Sequence, residues 1–175
     1  MMTVAGKVLD DLRRHAPILT VVLFLLQGCS ADKFGIVISQ DKLPNGWQLV
    51  KNSEMPTSDK TPFWTRNPQR VTGQTIREYF NVGSEPSRAQ AITMVMYEQI
   101  EKDCAVVFFA HEYRNEQDAS TELAAMKSNG IAKNGLAAPS LNSKKDFILM
   151  IPDDSCGDLS FFVSHFKSIT APCEK

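Results

Sequence analysis

AITMVMYEQ-IEKD-CAVVFFAHEY, residues 91–113, holds two runs of strand-forming residues joined by a short charged link. β-Branched and aromatic side chains fit a pleated sheet, and Glu101-Lys102-Asp103 is short and polar enough to close a hairpin between the runs. In the second run Val106, Val107, Phe108 and Phe109 put apolar groups on both faces, because successive strand residues point to opposite sides. A strand without a polar face belongs in the middle of a sheet covered from above and below. Downstream, Asn115 is placed to cap a helix over residues 116–128, with Glu116 and Asp118 in the first turn, where the helix dipole favours acids. Ala119, Leu123 and Met126 share one face of it, and Asn129-Gly130 is a stop signal. Residues 131–144 read as a loop with a short strand near Leu136, and 147–151 as an apolar strand ended by Pro152. Asp153, Asp154 and Ser155 offer N-caps for a last helix, in which Leu159, Phe162, Val163, Phe166 and Ile169 recur with the 3.6-residue period.

Upstream of the hairpin, Phe34, Ile36 and Ile38 alternate as a strand does. Pro44-Asn45-Gly46 is turn chemistry, and 47–50 reads as the returning strand. Residues 52–70 carry Pro56, Pro62 and Pro68 and read as a long surface loop. Ile76, Glu78, Phe80 and Val82 alternate with Thr75, Arg77, Tyr79 and Asn81, which predicts another strand, followed by a turn over 83–88. The fold class is therefore α+β, an antiparallel β-sheet flanked by helices. The stretch FGIVISQDKLPNGW, residues 34–47, together with the terminal amphipathic helix, resembles the PsbP-like domains. That group includes extrinsic photosystem subunits and bacterial envelope lipoproteins. The resemblance implies an α/β/α sandwich over most of residues 34–170, and a binding or assembly role rather than catalysis.

The chain opens with Lys7, Asp10, Asp11, Arg13, Arg14 and His15, then runs apolar over residues 16–26. A membrane span needs about 18 or more apolar residues, so this run is too short for one and instead fits a secretory signal. Leu26-Gln27-Gly28-Cys29 resembles the lipobox of bacterial lipoproteins: Leu26 and Gly28 match it, and Gln27 is less usual there. The resemblance implies cleavage before Cys29 and acylation of that cysteine. Several acyl chains hold a protein to a bilayer far more firmly than one. Ser30 stands where aspartate would signal retention, so the implied address is the outer membrane, periplasmic face. The expected organisation is a signal peptide over 1–28, an acylated cysteine and tether over 29–33, and one domain over 34–175.

The 175 residues carry 19 Lys+Arg and 20 Asp+Glu, a balance without the basic excess of a nucleic-acid binder. Removing residues 1–28 takes three basic and two acidic residues and leaves a net charge near −2. With Cys29 committed to lipid, Cys104, Cys156 and Cys173 remain in an oxidising compartment, where a bridge is expected. A helix over 156–169 separates its ends by about 20 Å, too far for Cys156 to reach Cys173. Cys104 is then the shared partner. It would pair with Cys156 if strand 147–151 runs antiparallel to 104–112, or with Cys173 if the two are parallel; reduced thiols are the third outcome.

An enzyme reading exists. Cys156 at a helix N-terminus would have a lowered pKa, and His111 could act as its base. No oxyanion motif or third orienting group accompanies them. His111-Glu112 begins like HExxH, but the second histidine position is Asn115. His165 reads as a packing or edge residue, and Asp153-Asp154 as caps rather than a cation site. Phe63-Trp64 in the proline-rich loop is a candidate partner contact; the competing reading folds both rings back over the sheet. The expectation is thus a non-enzymatic, lipid-anchored binding or assembly module that needs no cofactor or metal. A small-ligand carrier is the alternative, and a thiol enzyme using Cys156 ranks behind both.

Overall fold

The computed structural model describes residues 32–55, 62–128 and 135–171. The signal-like run, the lipobox-like Leu26, Gln27, Gly28 and Cys29, the stop signal at 129–130 and Cys173 lie outside those residues. In chain order the elements are β1 (Trp47–Leu49), β2 (Gln69–Thr72), α1 (Gln74–Tyr79), β3 (Asn81–Val82), β4 (Glu85–Pro86), β5 (Ala91–Gln99), β6 (Cys104–Glu112), α2 (Glu116–Ser128), β7 (Leu136–Ser140), β8 (Ser143–Pro152) and α3 (Ser160–Ile169). The main sheet has six strands in the order β1-β5-β6-β8-β7, with β2 also pairing β5. All of its pairings are antiparallel. β3 and β4 make a separate small hairpin.

β5 and β6 are the hairpin predicted from residues 91–113, and β6 sits at the centre of the sheet. Its faces are covered as the two-sided apolar pattern requires. On one side Val95, Tyr97, Val106, Phe108, Ile148 and Met150 pack with Phe162 and Phe166 of α3. On the other side Val71, Ile92 and Met94 meet Trp64 and Ile76. Beside them, Phe147 and Leu149 meet Ala119, Leu123 and Met126 of α2. The α2 N-terminus is capped as predicted, Asn115 Oδ1 accepting the N–H of Asp118 at 2.8 Å.

Three predicted elements take another form. Phe34, Ile36 and Ile38 are buried as their alternation requires, but they join no ladder of the sheet. Their backbone is held by one side chain. Tyr97 Oη donates to Ile36 C=O (2.8 Å) and accepts from Ile38 N–H (2.6 Å). The strand predicted over 75–82 is mostly α1. Ile76 and Phe80 are four apart, a spacing that suits a helix face as well as an alternating strand, and Phe80 N–H closes onto Ile76 C=O. Gly73, at φ 59°, turns the chain into that helix. The last helix starts at Ser160 rather than directly after 155. Asp153 spends its carboxylate on a local turn with Ser155 N–H (3.2 Å), and Asp158 accepts from Ser160 N–H (2.8 Å).

β1 and β2 share one edge of β5, and Asn67 fills the gap between them. Its Nδ2 donates to Val50 C=O (3.0 Å) and Met96 C=O (2.7 Å), and its Oδ1 accepts Met96 N–H (2.9 Å). A side-chain amide thus takes the place of a missing strand residue. The peptide bond that follows, Asn67-Pro68, is cis.

Candidate functional site

β6 and β8 run antiparallel, so the end of β8 returns to the start of β6. Asp153 N–H bonds Ala105 C=O at 2.8 Å. Three residues later the chain brings Cys156 to Cys104, and the two form a disulfide with a Cα–Cα distance of 5.0 Å. The antiparallel alternative is therefore the one the fold adopts. The thiol-enzyme reading fails on the same geometry. The Cys156 sulfur is bonded, and the residue precedes α3 by four positions instead of lying in its first turn. His111 lies seven residues along β6 from Cys104, about 23 Å away at strand rise.

His111 belongs to a buried polar cluster under α2. Its ring stacks on Phe147 with centroids 4.5 Å apart, in the register pair His111–Phe147. Its Nδ1 is 3.4 Å from Tyr113 Oη, which donates to Glu122 at 2.8 Å. With the tyrosine proton committed to the carboxylate, His111 Nδ1–H is the donor in that contact. Glu122 also accepts from Ser87 Oγ (2.8 Å) and from Arg88 N–H. Burial pushes the His111 pKa down to about 3, so the ring is neutral. Burial, followed by the Glu122 charge, pushes the Tyr113 hydroxyl up, so it remains a donor. The cluster closes on itself and fastens the segment before β5 to α2. Glu122 was legible as an acid three residues after Ala119 on the inward helix face; its partners were not.

Glu112, the acid of the HE pair, faces away from His111. It receives Lys33 Nζ (3.2 Å) and Arg70 Nη2 (3.1 Å). His165 Nε2 lies 2.7 Å from Gly35 C=O, with its ring edge toward Phe108, a packing role. Among the described residues no group of three or more His, Cys, Asp and Glu side chains is placed to hold a metal ion. No helix among them is long and apolar enough to cross a membrane.

Trp64 is 6 % exposed and packs 6.3 Å from the Phe109 ring, so it is not the surface anchor the sequence allowed. Phe63 is half-buried against Tyr79 (4.9 Å) and Phe80 (5.3 Å). Both rings fold back over the sheet face built from Val71, Ile92 and Met94, which they cover together with Val50, Met55 and, from α1, Ile76.

Two open grooves flank the edge strand β7. One, of about 400 Å³, lies between α2 and the β7–β8 hairpin, lined by Ala119, Leu123, Phe147, Lys127 and Lys144 among others. The second, of about 460 Å³, lies between β7 and the last turn of α3, with Leu136, Ala138 and Phe166 in its walls. No family model, no curated protein and no solved structure matches the chain.

Proposed function

We propose that this protein is a membrane-anchored lipoprotein facing the periplasm, where it works as a non-enzymatic binding or assembly module of the cell envelope. The lipobox-like Leu26-Gln27-Gly28-Cys29 supplies the anchor, and Ser30 after it favours the outer membrane. The observation that carries the reading is the Cys104–Cys156 bridge. Structural disulfides belong to exported proteins, which is where a cleaved signal would send this chain. Helices over both faces of an antiparallel sheet are also what the PsbP-like resemblance implies. The buried histidine, tyrosine and glutamate bond one another rather than opening onto either groove, which favours binding over catalysis.

Intact-mass measurement of the native protein tests the anchor. A polypeptide beginning at Cys29 and carrying acyl chains is expected; an unmodified chain that retains residues 1–28 refutes the reading. Cys29→Ser should no longer fractionate with membranes. In-cell crosslinking should then recover a stoichiometric envelope protein.

The grooves beside β7 favour a second reading, a small-ligand carrier, because a volume of about 400 Å³ suits a small molecule. Native mass spectrometry of the purified protein distinguishes the two: a co-purifying small molecule supports the carrier, and its absence with a crosslinked partner supports the assembly module.

A further inference from the structure

We propose that the end of the sheet bearing the β7–β8 turn rests on the bilayer, with Leu141 at headgroup level and Arg114, Lys144 and Lys145 facing anionic lipid phosphates. The proposal rests on the lipid-anchor reading above and adds to it the surface that meets the membrane.

Strand direction gives the domain two distinct ends. At one, the finish of β6 meets the starts of β5 and β8, Glu112 pairing with Ala91 and Asp146. Lys33 is fastened there, 3.2 Å from Glu112 and 3.7 Å from Asp146. Four residue steps separate Lys33 from Cys29, a reach of at most about 14 Å. A lipidated Cys29 therefore brings this end, not the other, to the membrane.

The charges agree with that placement. Lys33 and Arg70 are matched by Glu112 and Asp146, and Arg88 by Asp118. Arg114, Lys144 and Lys145 are exposed and make no salt bridge among the described residues. They are neighbours, because Tyr113 N–H bonds Lys145 C=O at 3.1 Å. Asp146, next to Lys145 in the chain, is paired with Lys33, and Glu112 with Lys33 and Arg70, so Glu116 at the start of α2 is the acid that offsets one of the three. The opposite end carries Glu101, Asp103, Asp153 and Asp158, with Lys102 among them. A domain of that polarity turns its basic end toward an anionic surface.

Leu141 supplies the apolar contact. It is 56 % exposed at the turn between β7 and β8, on a backbone fixed by its N–H bond to Ile169 C=O (3.0 Å). An apolar side chain beside basic ones is the composition of an interfacial membrane contact. Ile100 is as exposed, at 63 %, but it sits beside Glu101 and Asp103 at the end away from the anchor.

The test is hydrogen exchange of the full lipidated protein in two vesicle types, 3:1 phosphatidylethanolamine to phosphatidylglycerol and pure phosphatidylcholine. The net two positive charges at an anionic surface favour contact by on the order of thirtyfold. Amides over 141–145 should exchange several-fold more slowly in the phosphatidylglycerol vesicles, and those over 100–103 equally in both. Protection should vanish in 1 M salt, where the Debye length is about 3 Å. It should also vanish in the Lys144→Glu/Lys145→Glu variant, whose melting temperature stays at the wild-type value. Equal exchange over 141–145 in both vesicles, with acylated Cys29 verified by mass, overturns the orientation and leaves the anchor standing. An unacylated Cys29 overturns both.

Discussion

Acidifying the protein from pH 7 to pH 5 should weaken its fold through one side chain. His111 is 2 % exposed, with its ring against Phe147 and its Nδ1–H turned to Tyr113. Its pKa is about 3 in the folded protein and 6.5 as a free side chain. A base whose folded pKa is depressed is protonated first in the unfolded chain. The stability it permits is complete above about 6.5 and drains away as pH falls toward 3. Each unit below 6.5 costs about 1.4 kcal/mol, so the loss between pH 7 and pH 5 is about 2 kcal/mol. That is a large share of a typical total of roughly 5–15 kcal/mol.

Urea unfolding at pH 7, 6 and 5 with the disulfide intact measures it, and the buried Trp47 and Trp64 report the transition. The window stays above the range where most carboxylates titrate. His111→Phe should flatten the dependence, since phenylalanine keeps the stack on Phe147 and cannot take a proton. Tyr113 retains its bond to Glu122 in that variant. A wild-type free energy that does not change between pH 7 and pH 5, or a His111→Phe protein with the same slope, refutes the assignment.

Other perturbations bear on separate parts of the fold. Reducing the Cys104–Cys156 bridge, which closes a separation of 52 residues, should cost about 4 kcal/mol, read as a drop in the urea midpoint. Tyr97→Phe removes the hydroxyl that satisfies both Ile36 C=O and Ile38 N–H in a buried layer. The loss should be about 2–3 kcal/mol by chemical denaturation, with faster exchange at the Ile38 amide. Gly35→Ala should destabilise by about 1–2 kcal/mol, because the residue has φ 67° and a Cβ there would come within 3.0 Å of Ile169 Cγ2.

What the sequence revealed follows from where its signals are local. The β5–β6 hairpin was legible from its strand-forming composition and charged turn, and α2 from its one-faced apolar spacing and Asn cap. The 34–38 segment kept its apolar alternation, yet its hydrogen bonds go to Tyr97, 59 and 61 residues away, and no local pattern encodes that. Residues 74–80 failed as a strand because Ile76 and Phe80 satisfy both periods, and only packing against the sheet decides between them. The bridge was legible as a condition: once β8 is antiparallel to β6, Cys156 must return to Cys104. Burial of Trp64 was open to the sequence only as one of two readings, since the bare sheet face it covers forms from strands that follow it in the chain. Asn67 had no signal beyond the proline after it, because the gap it fills exists only where β1 and β2 line up on β5.

These long-range contacts also decide how the anchor is joined to the domain. Lys33 is tied to β6 and β8 by Glu112 and Asp146, Gly35 C=O to α3 by His165, and Ile36 and Ile38 to β5 by Tyr97. Each tie reaches a different element, so the entering segment cannot swing about a single attachment. These ties join the point of entry to the sheet and to α3. A short tether on a rigid entry point restricts the poses that the domain can take over a bilayer, and that restriction makes a defined membrane-facing end physically reasonable. Were the entry segment loose, the same basic residues would sample the surface in many orientations, and any protection over 141–145 would be averaged across them.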